Sequence, residues 1–190
     1  MTQRPEPPAE ILELADADAW EAWLAEHHAT APMAWLRIAK RHSGLAVIGI
    51  ADAADVAHCY GWIDGQRQGL DDVSFLQRYS RRRPRSSWSQ VNVARVEALL
   101  AAGRMQPAGL AEVEAAKADG RWDAAYASQR TAEPPADLVA ALAGSVRAQA
   151  AFEGLGRSER YAVILPVLKA RAPQARAAAI AREVRRLAGE

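Results

Sequence analysis

Trp20, Trp23, Leu24 and His27 recur at i, i+3, i+4 and i+7, a spacing that gathers them into one stripe of a helix. Asp18, three residues before Glu21, makes a capping-box-like pair and predicts the helix start. From Ala34 to Lys40 the period shortens. Leu36 and Ile38 alternate with Trp35 and Arg37, which predicts a strand. Ser43-Gly44 is a turn signal, and a short extended piece is expected over Leu45 to Ile50. Asp52 is placed to cap a second helix with the stripe Val56, Cys59 and Tyr60, and Gly61 sits where that helix should stop. Trp62 to Gln66 and Ser74 to Ser80 read as two more strands, joined by a loop holding Gly69, Asp71 and Asp72. Two strands alone would be marginal, so the three together predict a small antiparallel sheet.

From Ser87 onward the pattern is helical. Ser87 and Gln90 form a capping-box pair, Val93, Val96, Leu99 and Leu100 supply a stripe, and Gly103 closes it. Pro107 suits the first turn of the next helix, which should end at Gly120. After the break at Pro134-Pro135, helices are expected near Pro135 to Leu142, Val146 to Leu155, Ser158 to Leu168 and Pro173 to Ala188. Pro166 should kink or shorten the third of these. Strands confined to the first half predict an α+β fold, a small three-stranded sheet packed with a mostly helical C-terminal half. The organisation expected is a disordered leader over residues 1–15, then one domain over 16–190 with a helical subdomain over 134–190. The leader rests on Met1 to Glu10, which hold three prolines and two glutamates.

Composition narrows the function classes. The 190 residues carry a net charge of +1, so nothing general draws the chain to nucleic acid or anionic lipid. Cys59 is the single cysteine, which removes any intrachain disulfide. No apolar run approaches the roughly 18 residues that span a bilayer, and no basic start with an apolar region marks a secretory signal. A cytoplasmic location without membrane insertion is therefore expected.

Two segments carry candidate chemistry. In Gly61-Trp62-Ile63-Asp64-Gly65-Gln66 the tryptophan and aspartate lie two apart on a strand, hence on one face. The flanking glycines permit tight turns or close backbone approach. Asp64 could accept hydrogen bonds or act as a general base in a pocket wall, or it could simply take a hydrogen bond from a nearby arginine. The stretch from Arg78 to Ser89 holds five arginines in eight residues followed by Trp88. Guanidinium forks bind carboxylate or phosphate through paired hydrogen bonds, and a helix starting near Ser87 adds free N–H groups. A small-anion site fits; so does internal pairing with Asp64, Asp71 and Asp72; nucleic acid fits the residue types but not the near-zero net charge. The candidate ligand-binding residues are Trp62, Asp64, Gln66, Arg82, Arg83, Arg85, Ser87, Trp88 and Asn92, with Asp64 the best catalytic candidate.

Other residues favour structure. Cys59 lies on an apolar stripe and reads as an inert core thiol. His27, His28, His42 and His58 show no metal-ligand spacing, so no metal site is predicted. No phosphate loop, nucleophile elbow or dinucleotide fingerprint is present, and no cofactor is expected.

Cys59-Tyr60-Gly61-Trp62-Ile63-Asp64-Gly65-Gln66, the run Arg82 to Ser89 with Asn92, Gly103-Arg104-Met105 with Pro107-Ala108-Gly109, Ala118 to Trp122 with Ala125-Tyr126, and Arg160-Tyr161 together resemble the YdeI/OmpD-associated, or bacteriocin-protection, family. The likeness runs from about Trp20 to the C-terminus. Departures are Arg81, where the family tends to proline; Glu159, where it has asparagine; and Ala175 to Ala179, where two polar positions are lost. The resemblance implies a bacterial protein linked to tolerance of antimicrobial peptides, bacteriocins and envelope stress, with no agreed reaction or cofactor. The leading expectation is thus a ligand- or partner-binding protein of stress tolerance, its partner a small anion or another protein. An enzyme acting on a small anionic substrate is the alternative, and a nucleic-acid-binding module the second.

Overall fold

The computed structural model describes residues 10–190, and the first nine residues of the expected leader lie outside them. In chain order the elements are α1 (Ala17–His27), β1 (Met33–Ala39), α2 (Ile50–Cys59), β2 (Trp62–Gly69), β3 (Ser74–Arg81), α3 (Gln90–Ala101), α4 (Pro107–Ala118), α5 (Ala136–Ala143), α6 (Val146–Gly154), α7 (Arg157–Lys169) and α8 (Pro173–Ala188). They separate into two compact units. One holds the described residues up to Ser86 with Ala94–Asp123; the other holds Ser87–Val93 with Ala124–Glu190.

The first unit is built on an antiparallel sheet of order β1-β3-β2. Ala34, Leu36 and Ile38 stand opposite Tyr79, Gln77 and Phe75, and Trp62 stands opposite Arg81. This face covers a core with Trp20 and Leu24 of α1 and Val56 and Ala57 of α2. A ladder irregularity between Asp64 and Arg67 leaves strand carbonyls without ladder partners. Gln77, buried on the core face, answers it: its amide nitrogen donates to the carbonyls of Gly65 and Gln66, and its oxygen accepts from Arg67 Nε. Residues 10–15 are ordered against the sheet. Leu12 bridges Leu36 in parallel, and Leu12 and Leu14 pack on the core.

Several local expectations are corrected. The short extended piece expected over Leu45 to Ile50 makes a single bridge, Gly49 to Ala39, and ends one residue early because Ile50 already opens α2. The N-cap of α2 is Gly49 and Asp52 lies inside the first turn. The cap of α1 is Asp16, whose carboxylate accepts the Ala19 N–H. At α3 the Ser89 hydroxyl accepts the Asn92 N–H, while the Gln90 N–H, expected in a capping box with Ser87, donates to the Tyr126 carbonyl. The helix expected over Ser158 to Leu168 is present as α7, Arg157–Lys169, with Pro166 inside it and no shortening.

The second unit is helical. Leu138 and Leu142 of α5, Phe152 of α6, Val163, Ile164 and Val167 of α7, and Ala179 and Ala188 of α8 form its core. Arg176 of α8 ties back to Asp137 of α5 and donates to the Val167 carbonyl. Residues 87–93 meet 124–127 through the Ser89–Tyr126 bridge. No helix among the described residues is long and apolar enough to cross a membrane.

Candidate functional site

A cavity of about 720 Å³ opens at the end of β3 in the first unit. That volume lies within the usual range for small-molecule sites. Its walls include Arg78, Ser80 and Arg81 of β3, Arg82 and Arg83 just beyond it, His28 after α1, Tyr60-Gly61 after α2, and Glu112 of α4. Four arginines therefore converge on one space, because β3 runs out of the core and its last residues leave the sheet as a basic strap.

Local geometry explains how they are held. Gly61 turns the chain at φ +73°, where any side chain is strained, and a Cβ there would sit 3.0 Å from the Ala108 carbonyl oxygen and 3.1 Å from Glu112 Cγ, so glycine is favoured. The Gly61 carbonyl accepts the Arg82 N–H, which pins the strap to this turn. Gly65 lets Arg78 pass: a Cβ would lie 3.2 Å from both Nε and Nη2 of that guanidinium. Beyond Arg83 the chain reverses. The Arg83 N–H donates to Ser86 Oγ, Arg85 takes a positive φ of 65°, and buried Arg121 donates from Nη1 to the Ser86 carbonyl. A left-handed non-glycine residue costs about 1–3 kcal/mol and persists where its surroundings hold it, as these hydrogen bonds do. Arg121 is fixed in turn by Asp119, its Nε 2.7 Å from one carboxylate oxygen.

The charge arrangement is the informative part. Arg37 pairs with Glu13 and Asp71, Arg95 with Asp55, Arg121 with Asp119 and Arg176 with Asp137. Among the described residues, Arg78, Arg81 and Arg83 have no carboxylate within 4.0 Å. Arg78 Nε is buried without a hydrogen-bond acceptor among the described residues. Arg81 donates to the Ala29 carbonyl, a neutral acceptor. Asp71, one of the acids considered for these arginines, is committed elsewhere. It accepts from the Ser74 hydroxyl and from the N–H groups of Val73 and Ser74, and it pairs with Arg37, which together hold its carboxyl down at about 2. Like charges around one cavity repel, and an anion in their midst would relieve that repulsion. The His28 ring is set with Nδ1 donating to the Leu24 carbonyl. Burial raises the Tyr60 hydroxyl above its ordinary range, so it stays protonated at neutral pH.

Of the residues expected from the sequence, the structure brings Arg82 and Arg83 to this cavity. Trp62 is fully buried. Its indole meets Trp20 and Trp23 edge-on and donates to the His28 carbonyl, so it stands behind the cavity wall as core. Asp64 and Gln66 are exposed on β2 and are not among the lining residues, and neither is Arg85. Ser87, Trp88 and Asn92 belong to the second unit, with Trp88 buried there. Sequence reasoning missed His28, Arg78, Ser80, Arg81 and Glu112 as lining residues. Arg78 and Arg81 stood inside the basic run already noticed; nothing local pointed to His28 or Glu112. Cys59 is buried, and desolvation raises its thiol, in keeping with an inert core residue.

Residues 12–112, more than half of the chain, match the family model described as a domain of unknown function (DUF8412). The chain belongs to this family. The cavity arginines Arg78, Arg81, Arg82 and Arg83 all lie within the DUF8412 match, as do the motifs Cys59 to Gln66, Arg82 to Asn92 and Gly103 to Gly109. Residues 131–189 match a second model, described as bacteriocin-protection, YdeI or OmpD-associated (OmdA). The resemblance read from the sequence is thus met in the C-terminal stretch, where Arg160-Tyr161 is the motif that falls inside the match. The OmdA match is consistent with an association with bacteriocin protection. No curated protein and no solved structure matches the chain.

Proposed function

We propose that this protein binds a small anion in the arginine-lined cavity and that, acting in the cytoplasm, it contributes to tolerance of bacteriocins or antimicrobial peptides. The observation that carries the binding half is the convergence of Arg78, Arg81, Arg82 and Arg83 on one cavity, with Arg78, Arg81 and Arg83 lacking a carboxylate partner among the described residues. The tolerance half is supported by the OmdA match at 131–189. A cationic peptide would not itself enter the basic cavity, because like charges repel. The anion is therefore a signal or stabilising ligand, not the toxic peptide.

The test is calorimetric titration of the whole protein with inorganic phosphate, pyrophosphate and citrate, alongside the double variant R81Q/R83Q. Saturable binding that weakens about tenfold or more in the variant supports the reading, since a hydrogen bond to a charged group is worth about 1.5–3 kcal/mol. Binding that is absent, or equal in both proteins, removes it. A strain lacking the protein should be more sensitive to bacteriocins, with rescue by the wild type but not by R81Q/R83Q. Unchanged sensitivity removes the tolerance half alone.

A further inference from the structure

The second unit has a basic cleft of its own. It encloses about 330 Å³ between the segment 129–134 and the start of α7. Arg130, Arg157 and Arg160 line it together with Tyr161, and Leu155 and Ile164 form its aliphatic side. Among the described residues none of these three arginines pairs with a carboxylate. Neighbouring acids are committed otherwise: Glu159 accepts the Gly156 N–H at the helix start, and Glu153 accepts from Gln149. Arg160 is fixed in place, donating to the Glu153 carbonyl and lying over the Phe152 ring. Tyr161 is held by donating to the Ala127 carbonyl, and Gln129 by donating to Ser158. The side chains around the cleft are thus organised, while Arg130 and Arg157 keep their donors available. α7 begins at Arg157, so the positive end of its dipole reinforces the same field.

We propose that this cleft is a second anion-binding site, and that it takes a carboxylate or phosphate joined to a short aliphatic chain. The guanidinium groups hold the anion in charge-assisted hydrogen bonds, and Leu155 and Ile164 shelter the aliphatic part. The site shares no lining residue with the cavity of the first unit and does not depend on that reading.

The experiment is an amide NMR titration of the whole protein with hexanoate, hexyl phosphate, inorganic phosphate and hexylammonium, repeated in R81Q/R83Q to remove the first cavity. Hexanoate or hexyl phosphate should move the amides of 129–134 and 155–164 equally in both backgrounds, and hexylammonium should not. Their relative affinities decide between carboxylate and phosphate ester. R157Q, an exposed substitution, should weaken the preferred probe about tenfold or more, and R130Q should do the same. Amides that stay still at millimolar probe overturn the site, as does movement that survives both variants. Inorganic phosphate binding as tightly as the hexyl compounds overturns the aliphatic part of the ligand class.

Discussion

The two cores are built from different materials. In the first unit a sheet faces α1 and α2, and indoles fill the gap: Trp20, Trp23 and Trp62 meet face to face or edge to face, with Tyr79 against Trp20. In the second, four helices close on branched aliphatic side chains, and α8 brings alanines, Ala179 and Ala188, to the seam. A sheet–helix interface leaves room that large rings occupy, whereas small residues let helices approach closely. The basic sites follow the same division. One sits where a strand leaves the aromatic core, the other where a helix begins beside the aliphatic one.

The largest expected effect is on the aromatic core. Trp62→Ala removes a fully buried ring and its hydrogen bond to His28, and should cost about 3–5 kcal/mol. Denaturant unfolding measures the loss, and hydrogen exchange should place it first in β1, β2 and β3. Leu138→Ala is the counterpart in the helical core and should cost about 2–5 kcal/mol, with exchange rising first in α5 and α8. If both variants raise exchange in the same set of amides, the two cores do not respond separately and the contrast falls.

Glycine substitutions should differ in sign between the units. A Cβ on Gly109 would stand 2.2 Å from the Cys59 carbonyl oxygen and 2.8 Å from its carbon, both backbone atoms that cannot step aside. Gly109→Ala should therefore destabilise by about 1–3 kcal/mol or more. Gly154, the last residue of α6, has nothing within 4 Å of such a Cβ. Gly154→Ala should be neutral or stabilising by about 0.4–1 kcal/mol, through the unfolded chain. A melting-temperature comparison reads both, and equal shifts would contradict the close approach of α2 and α4.

How much of this was visible beforehand follows from the range of the forces involved. β1 was legible because one face is buried and the other is not, so Ala34, Leu36 and Ile38 impose a period of two. The helix starts at Pro107 and Pro173 were legible because proline's missing N–H is cheap there. Caps were less so: Ser87 and Ser89 compete within three residues, and only the chain's path selects Ser89. Trp62 and Asp64 share a strand face, as their spacing says, but β2 runs from the core to an open end. The same face is dry at Trp62 and wet at Asp64. The basic run pointed to Arg82 and Arg83, which do line the cavity, whereas His28 and Glu112 reach it from distant elements, which no local pattern encodes.

Acid titration sharpens the comparison at its finest scale, since each unit carries an exposed aspartate fixed by an arginine. Asp71 sits at about 2 against an ordinary value of 3.8, chiefly through the Ser74 hydroxyl; Asp137 is lowered chiefly by Arg176. A depressed carboxylate stabilises the fold at pH above its unfolded value and loses that contribution as pH falls through its folded one. The stability gap between wild type and Asp71→Asn should therefore hold constant from neutral pH to about 4, then close toward pH 2. Asp137→Asn should close its gap in the same direction. The two should differ in salt. The Asp71 gap rests largely on short hydrogen bonds within its own turn and should persist, while the Asp137 gap rests on one exposed ion pair and should shrink. Urea midpoints across this pH range at low and high salt decide the matter. A gap for Asp71→Asn that stays parallel down to pH 2 would mean that the carboxylate charge does not hold the Asp71–Ser74 turn.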